Sequence, residues 1–189
     1  IAEAQAQWHT GEKEMHSLLK VSHHGNPTYV GLSPSYAYRV VNSPLIAFGT
    51  LDREGRPWTT VWGGETGFSR PISNGILGVR ATADDRYDPV LQVLFAVEGT
   101  EGVDRNIRDG EVVRSNDVRN PMSGLAIDLE TRDRVKLAGR FLAGAVSKTE
   151  PGVGQVEMAF SVEESLGNES RSSYYCSSPS AKSRFNTLL

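Results

Sequence analysis

Two short runs in this chain carry side chains whose type and spacing suit ligand chemistry. In Arg132-Asp133-Arg134-Val135-Lys136-Leu137 the cations alternate with other residues. Alternate residues of an extended backbone share a face, so a strand here sets Arg132, Arg134 and Lys136 in one row, with Val135 and Leu137 opposite. Same-face neighbours lie roughly 6.6 Å apart, a spacing at which two cations bracket a phosphate, arginine with two parallel hydrogen bonds. The competing explanation is a solvent-facing strand whose charges pair with Glu130 or Asp133.

The second run is Trp58-Thr59-Thr60-Val61-Trp62, rich in β-branched and aromatic residues that favour a pleated backbone. On a strand, Trp58, Thr60 and Trp62 share one face while Thr59 and Val61 share the other. Each face then mixes groups that pack with groups that hydrogen-bond. A flat, partly polar ligand suits such a ribbon; so does burial of both faces within a barrel wall.

The elements that must position these runs can be read around them. Leu45-Ile46-Ala47-Phe48 and Leu51 form an apolar run, Asp52-Arg53-Glu54-Gly55-Arg56-Pro57 supplies turn chemistry, and the aromatic ribbon follows, so 44–64 reads as a β-hairpin. Further strands are expected at Ile76–Ala81, Gly124–Leu129, Arg132–Leu137 and Gly154–Val162. The segment 65–75, with Phe68, Arg70, Pro71, Ser73 and its glycines, reads as a loop, and 98–121 as a longer one. Asp88-Pro89 has the chemistry of a helix start, with Val90, Val93, Leu94 and Val97 at helical spacing. Near the N-terminus, Trp8, Glu12, Met15 and Leu19 predict an amphipathic helix of about four turns, and Ser33-Pro34 opens a short helical piece through Val41.

Composition limits what this framework can be. The chain has 189 residues, 38% of them hydrophobic and 23% charged, enough for one domain with a sizeable core and an extension or two. A formal charge of −3 gives no electrostatic case for nucleic acid or an anionic membrane as partner. The one cysteine, Cys176, excludes an intramolecular disulfide and a multi-cysteine zinc site. No apolar run approaches the roughly 18 residues of a membrane span, and the expected location is cytoplasmic. His9, Glu12 and His16 share a helix face but read as surface residues rather than metal ligands. Asp84, Asp85 and Asp88 read as capping and solvated groups, because the spacing of a calcium loop is missing.

The strand candidates together predict a mainly β fold with flanking helices, a mostly antiparallel barrel. A specific resemblance supports this. Asn26-Pro27-Thr28, Pro44-Leu45-Ile46-Ala47, Gly49-Thr50-Leu51-Asp52 with Gly55-Arg56-Pro57-Trp58-Thr59-Thr60, the stretch from Gly124 to Arg134, and Glu164-Ser165-Leu166-Gly167-Asn168 resemble, in order and spacing, the pyridoxamine 5'-phosphate oxidase-like family of FMN-binding split barrels. The likeness is to a fungal and bacterial branch sometimes fused to a ferredoxin-reductase-like module, and it covers roughly residues 8–168.

What the resemblance implies is a six-stranded antiparallel split β-barrel over 41–168, preceded by an N-terminal helical extension over 1–40, which forms a homodimer with FMN between subunits. Trp58, Thr59, Thr60, Val61 and Trp62 would run along the isoalloxazine. The segment from Ser69 to Ser73 would lie near the phosphate or ring edge, and Arg132, Arg134 and Lys136 would serve the phosphate and the subunit contact. The activity implied is that of an FMN-dependent oxidoreductase on an unidentified small molecule. The alternatives are a non-catalytic flavin-binding or cofactor-free dimeric module, and a binder of haem or a deazaflavin in the same groove. No catalytic residue is assigned: Tyr29, Tyr36 and Asp128 are near-site polar groups for which packing or turn roles are expected. The chain departs from the family at Glu169-Ser170-Arg171-Ser172, where relatives continue Cys-Pro-Lys-Tyr. The serine-rich segment 169–189 reads as an altered, disordered tail, which puts cofactor affinity in question.

Overall fold

The computed structural model describes residues 5–21, 25–95, 107–115 and 121–168. Along them run α1 (Thr10–Leu18), β1 (Tyr29–Val30), α2 (Pro34–Asn42), β2 (Leu45–Leu51), β3 (Pro57–Gly63), β4 (Ser69–Ser73), β5 (Ile76–Ala83), α3 (Pro89–Phe95), β6 (Val113–Arg114), β7 (Pro121–Ile127), β8 (Arg134–Glu150) and β9 (Val153–Gly167). The tail expected over 169–189, including Cys176, and much of the loop expected over 98–121 lie outside the described residues.

The fold is mainly β and antiparallel, as expected, but the strand count differs. Among the described residues nine strands form one sheet in the order β3-β2-β7-β8-β9-β5-β4, with β1 paired to β9 and β6 to β8. Two of the strands beyond the expected six fall in segments read from sequence as loops, β4 in 65–75 and β6 in 98–121. The sheet curls over its own core. Phe48 on β2 meets Phe160 on β9 with ring centroids 6.4 Å apart, although β7 and β8 lie between these strands in the sheet. The end strand β3 makes contact with β5 but shares no ladder with it, so the barrel is split rather than closed.

The long pair β8–β9 supplies the largest single part of the wall, and its bulges near Ala138/Gly139 and Phe141/Ala143 bend it. Close backbone approach explains the glycines there: a Cβ at Gly139 would run into the Ser161 carbonyl. Inside, Ile46, Phe48, Trp62, Leu77, Phe141, Val146, Val156 and Phe160 are buried. The helix α3 stops one end with Val90, Leu91, Leu94 and Phe95, and Phe95 meets Phe141 edge-on at 5.5 Å. α2 starts where expected, the Ser33 hydroxyl accepting from the Tyr36 N–H at 3.3 Å and Pro34 occupying the first turn.

α1 is shorter than the four turns expected, nine residues, and none of its side chains is buried. Its two histidines have local tasks. His9 caps the helix, Nδ1 accepting from the Gly11 N–H at 3.2 Å while Glu12 accepts from the His9 N–H at 2.8 Å, and His16 packs edge-on against Trp8. Among the described residues no helix is long and apolar enough to cross a membrane.

Candidate ligand-binding face

The β2–β3 hairpin forms where expected, with Leu45 opposite Gly63 and Leu51 opposite Pro57, and Gly55 at φ 77° in the turn. Its tip is held by Asp52. One carboxylate oxygen accepts from the backbone N–H groups of Glu54 and Arg56 at 3.0 and 2.8 Å. The other accepts from Trp58 Nε1 at 2.9 Å and Arg56 Nε at 2.7 Å. The indole hydrogen bond is the largest cause holding the Asp52 carboxyl well below the usual carboxylate range; desolvation opposes it, and the hydrogen bonds and charge of Arg56 add to the lowering.

The two faces of β3 are separated as alternation requires, and their fates differ. Trp62 is buried against Phe48, ring centroids 5.0 Å apart. Its Nε1 donates to Asp88 Oδ2 at 2.8 Å, and the Thr60 hydroxyl donates to the same oxygen at 2.6 Å. Asp88 Oδ1 meanwhile accepts from the N–H groups of Val90 and Leu91, capping α3. Thr60 and Trp62, expected along a bound ring, are therefore committed to the interior by a carboxylate that also starts a helix. Trp58 shares their face at the hairpin end and is bound to Asp52. Only Thr59 and Val61 of the five-residue ribbon are on the outer face, and both are exposed.

That outer face continues across the neighbouring strands, because residues opposite each other in a ladder lie on the same side. One row runs Val61, Ala47, Leu125, Lys136, Leu166 from β3 to β9. A second runs Thr59, Gly49, Ser123, Ala138, Glu164 and ends at Val30 on β1. A third joins Gly63, Leu45, Ile127 and Arg134. The second row is nearly flat: a Cβ at Gly49 would lie 2.8 Å from Ser123 Oγ and 3.6 Å from Thr59 Cγ2. No described element covers this face. Val61 is 60% exposed and Val30 60%, while Leu45, Ala47, Leu125, Ile127 and Leu166 are half-buried.

The basic row is shorter than its alternation suggests. β8 begins at Arg134, and Arg132 sits before it in a turn, with φ 63° in the left-handed region. Arg134 and Lys136 share the exposed outer face, whereas Arg132 is not in line with them. The turn itself is shaped by Asp128, whose Oδ1 accepts from the N–H groups of Glu130 and Thr131; hydrogen bonds from Thr131 and then Glu130 hold this carboxyl below its ordinary range. Ser73 ends β4, an edge strand at the far end of the sheet path from β3. Tyr29 and Tyr36 pack edge-on at 5.4 Å. The turn and packing roles expected of Asp128, Tyr29 and Tyr36 are those observed.

Two residues beside the basic strand escaped the sequence reading. Asn168, just past β9, accepts through Oδ1 from the Arg134 N–H at 2.8 Å and from Arg39 Nη2 at 2.8 Å, and donates through Nδ2 to the Arg132 carbonyl at 3.1 Å. Arg39 Nη2 also donates to Asp133 Oδ1 at 3.0 Å. The motif Ser165-Leu166-Gly167-Asn168 was the available signal, though it says nothing of partners. Ser165 is fully buried and donates to the Gly31 carbonyl at 2.7 Å, and a Cβ at Gly167 would strike Tyr36 and Arg39.

No family model matches the chain, and no curated protein matches it. Solved structures do. A candidate pyridoxamine 5'-phosphate oxidase from Lactobacillus delbrueckii is similar at 11% identity and a TM-score of 0.40, over 72% of this chain and 93% of that one. A HupZ variant from Group A Streptococcus is similar at 12% identity and a TM-score of 0.36, over 72% of this chain and 99% of that one.

Proposed function

We propose that this chain is an FMN-binding flavoprotein and homodimer, an oxidoreductase of the pyridoxamine 5'-phosphate oxidase-like type acting on a small molecule. The observation that carries the reading is the outer face of β3, β2, β7 and β8: flat in the Thr59-Gly49-Ser123-Ala138 row, apolar in the row beside it, and bearing Arg134 and Lys136 at one side. An antiparallel sheet can leave one face to water, but the apolar side chains of this face suit a covering ligand or partner. A planar ring laid over Gly49 and Ser123 lies one to two strand spacings of about 4.8 Å from β8, within reach of a phosphate-bearing chain that ends at the arginine and lysine. A second copy of the chain laid over the same face would bury the remaining apolar side chains and exclude water from the ring.

The residues fit this cofactor in part. Arg134 and Lys136 supply the phosphate donors, Thr59 a hydroxyl and Val61 apolar contact, while Thr60, Trp62 and Arg132 are differently engaged. The flavin, when bound, supplies electron or hydride transfer, and the protein contributes binding, orientation and local electrostatics. A non-catalytic flavin-binding module is the second reading. It is favoured by the turn and packing roles of Asp128, Tyr29 and Tyr36, the three polar groups weighed for an acid–base step.

Mass spectrometry of the small molecule released on heating, with sedimentation of the unheated protein, tests the proposal. FMN from a dimer is expected. A colourless monomer that does not take up added FMN would overturn it; haem or a deazaflavin as the released molecule would keep the face and replace the cofactor. Oxidation of a nicotinamide or other donor by the loaded dimer separates the oxidoreductase from the non-catalytic module.

A further inference from the structure

We infer that Asn168 and Arg39 are positioning residues for the phosphate end of this face: they fix the backbone from which Arg134 projects, and so set the preference for a phosphorylated flavin. The inference rests on the FMN reading. Its physical basis is the density of hydrogen bonds on a few peptide units. The amide N–H of Asn168 donates to the Arg134 carbonyl at 3.1 Å, and its side-chain oxygen accepts from the Arg134 N–H at 2.8 Å, so both polar groups of the Arg134 backbone end on one residue. Its Nδ2 holds the carbonyl of Arg132, the residue forced to φ 63°, a conformation that costs a non-glycine residue energy unless its surroundings hold it there.

Arg39 closes the arrangement from α2. Its Nη2 lies within hydrogen-bonding distance of Asp133 Oδ1, the Arg134 carbonyl at 3.3 Å, and both oxygens of Asn168. Its guanidinium stands 5.6 Å from the centre of the Tyr36 ring, and the bare backbone of Gly167 permits that approach. Neither residue belongs to the outer face. They act through Arg134, because a rotation of its peptide is magnified at the end of a long side chain, and a guanidinium displaced by about 1 Å loses the geometry of its hydrogen bonds.

The test compares dissociation constants of FMN and riboflavin, since their ratio isolates the phosphate. Asn168→Ala is expected to lower the preference for FMN about tenfold with riboflavin binding unchanged, and Arg39→Lys, which keeps the charge beside Asp133 but loses the planar fork, about threefold. Ser165→Ala, on the same strand but tied to Gly31, should lower the melting temperature and leave the ratio alone. If Asn168→Ala does not fold, Arg39→Lys decides. An unchanged ratio in these variants, with a reduced one in Arg134→Ala, overturns the positioning role. An unchanged ratio in Arg134→Ala as well overturns the phosphate assignment itself.

Discussion

The two faces of β3 are made of similar residues and do opposite things. Inward, Thr60 and Trp62 converge on one oxygen of Asp88 and Trp62 packs on Phe48; outward, Thr59 and Val61 remain open beside Ala47, Gly49, Leu125 and Ser123. The difference lies in what arrives from elsewhere in the chain. A carboxylate at the start of α3 takes up the polar atoms of one face and turns it into core, and nothing among the described residues does so for the other. An aromatic strand is thus made structural or available by a partner that its own sequence does not contain.

This contrast predicts unequal mutational costs. Trp62→Ala should destabilise the fold by about 3–5 kcal/mol, the range for removing a buried aromatic side chain. Chemical denaturation checks it, and a cost under 1 kcal/mol would mean the inner face is not core. Asp88→Asn keeps the shape but turns a donor towards Thr60, Trp62 or the helix N–H groups. A loss of about 2–3 kcal/mol is expected, as for charged acceptors of buried hydrogen bonds.

On the outer side the expected cost moves from folding to binding. Arg134→Ala should weaken FMN binding by about 1.5–3 kcal/mol, the worth of hydrogen bonds to a charged group, while the unfolding midpoint of the protein without FMN stays in place. Titration of the variant with FMN reads this directly, and unchanged affinity removes Arg134 from the site. Val61→Ser, one position from Trp62, should alter monomer stability by no more than about 0.5 kcal/mol. A loss as large as that of Trp62→Ala would erase the distinction between the faces.

How far these faces were legible from sequence depended on whether their determinants are local. The hairpin turn at 52–57, the Ser33-Pro34 start of α2 and the Asp88-Pro89 helix start all follow from residues within a few positions of each other. The inward choice of Thr60 and Trp62 depends on Asp88, 26 residues away from Trp62, and alternation on a strand with two mixed faces cannot choose between them. Arg132 was misassigned because alternation was carried one step past the strand. Asp128, which pins the turn through Glu130 and Thr131, marks where the pattern should stop. β4 was hidden by Pro71 and neighbouring turn residues, which an edge strand tolerates. The length of β8 was hidden by Gly139 and Gly144, where neighbours come too close for a side chain. Arg39 carries no local signal, and the motif ending at Asn168 does not name its partners, because the roles of both lie in long-range hydrogen bonds.

The hairpin tip offers the mildest comparison, since Asp52 there plays the part that Asp88 plays inside, but in contact with solvent. Each carboxylate gathers one indole N–H and two backbone N–H groups. Because Asp52 titrates lower in the folded protein than the roughly 3.9 of an unfolded chain, its contribution to stability is complete above that value. The contribution declines as pH falls below it towards the folded pKa. Asp52→Asn should therefore differ from the parent protein most at neutral pH, with the gap in melting temperature narrowing steadily from about pH 5 towards pH 2. Trp58→Phe removes the largest cause of the lowered pKa and should flatten the same part of the profile while leaving the pairing of Asp52 with Arg56. A gap that widened in acid would mean that the folded carboxylate is held high rather than low, and that the indole of Trp58 does not bind it.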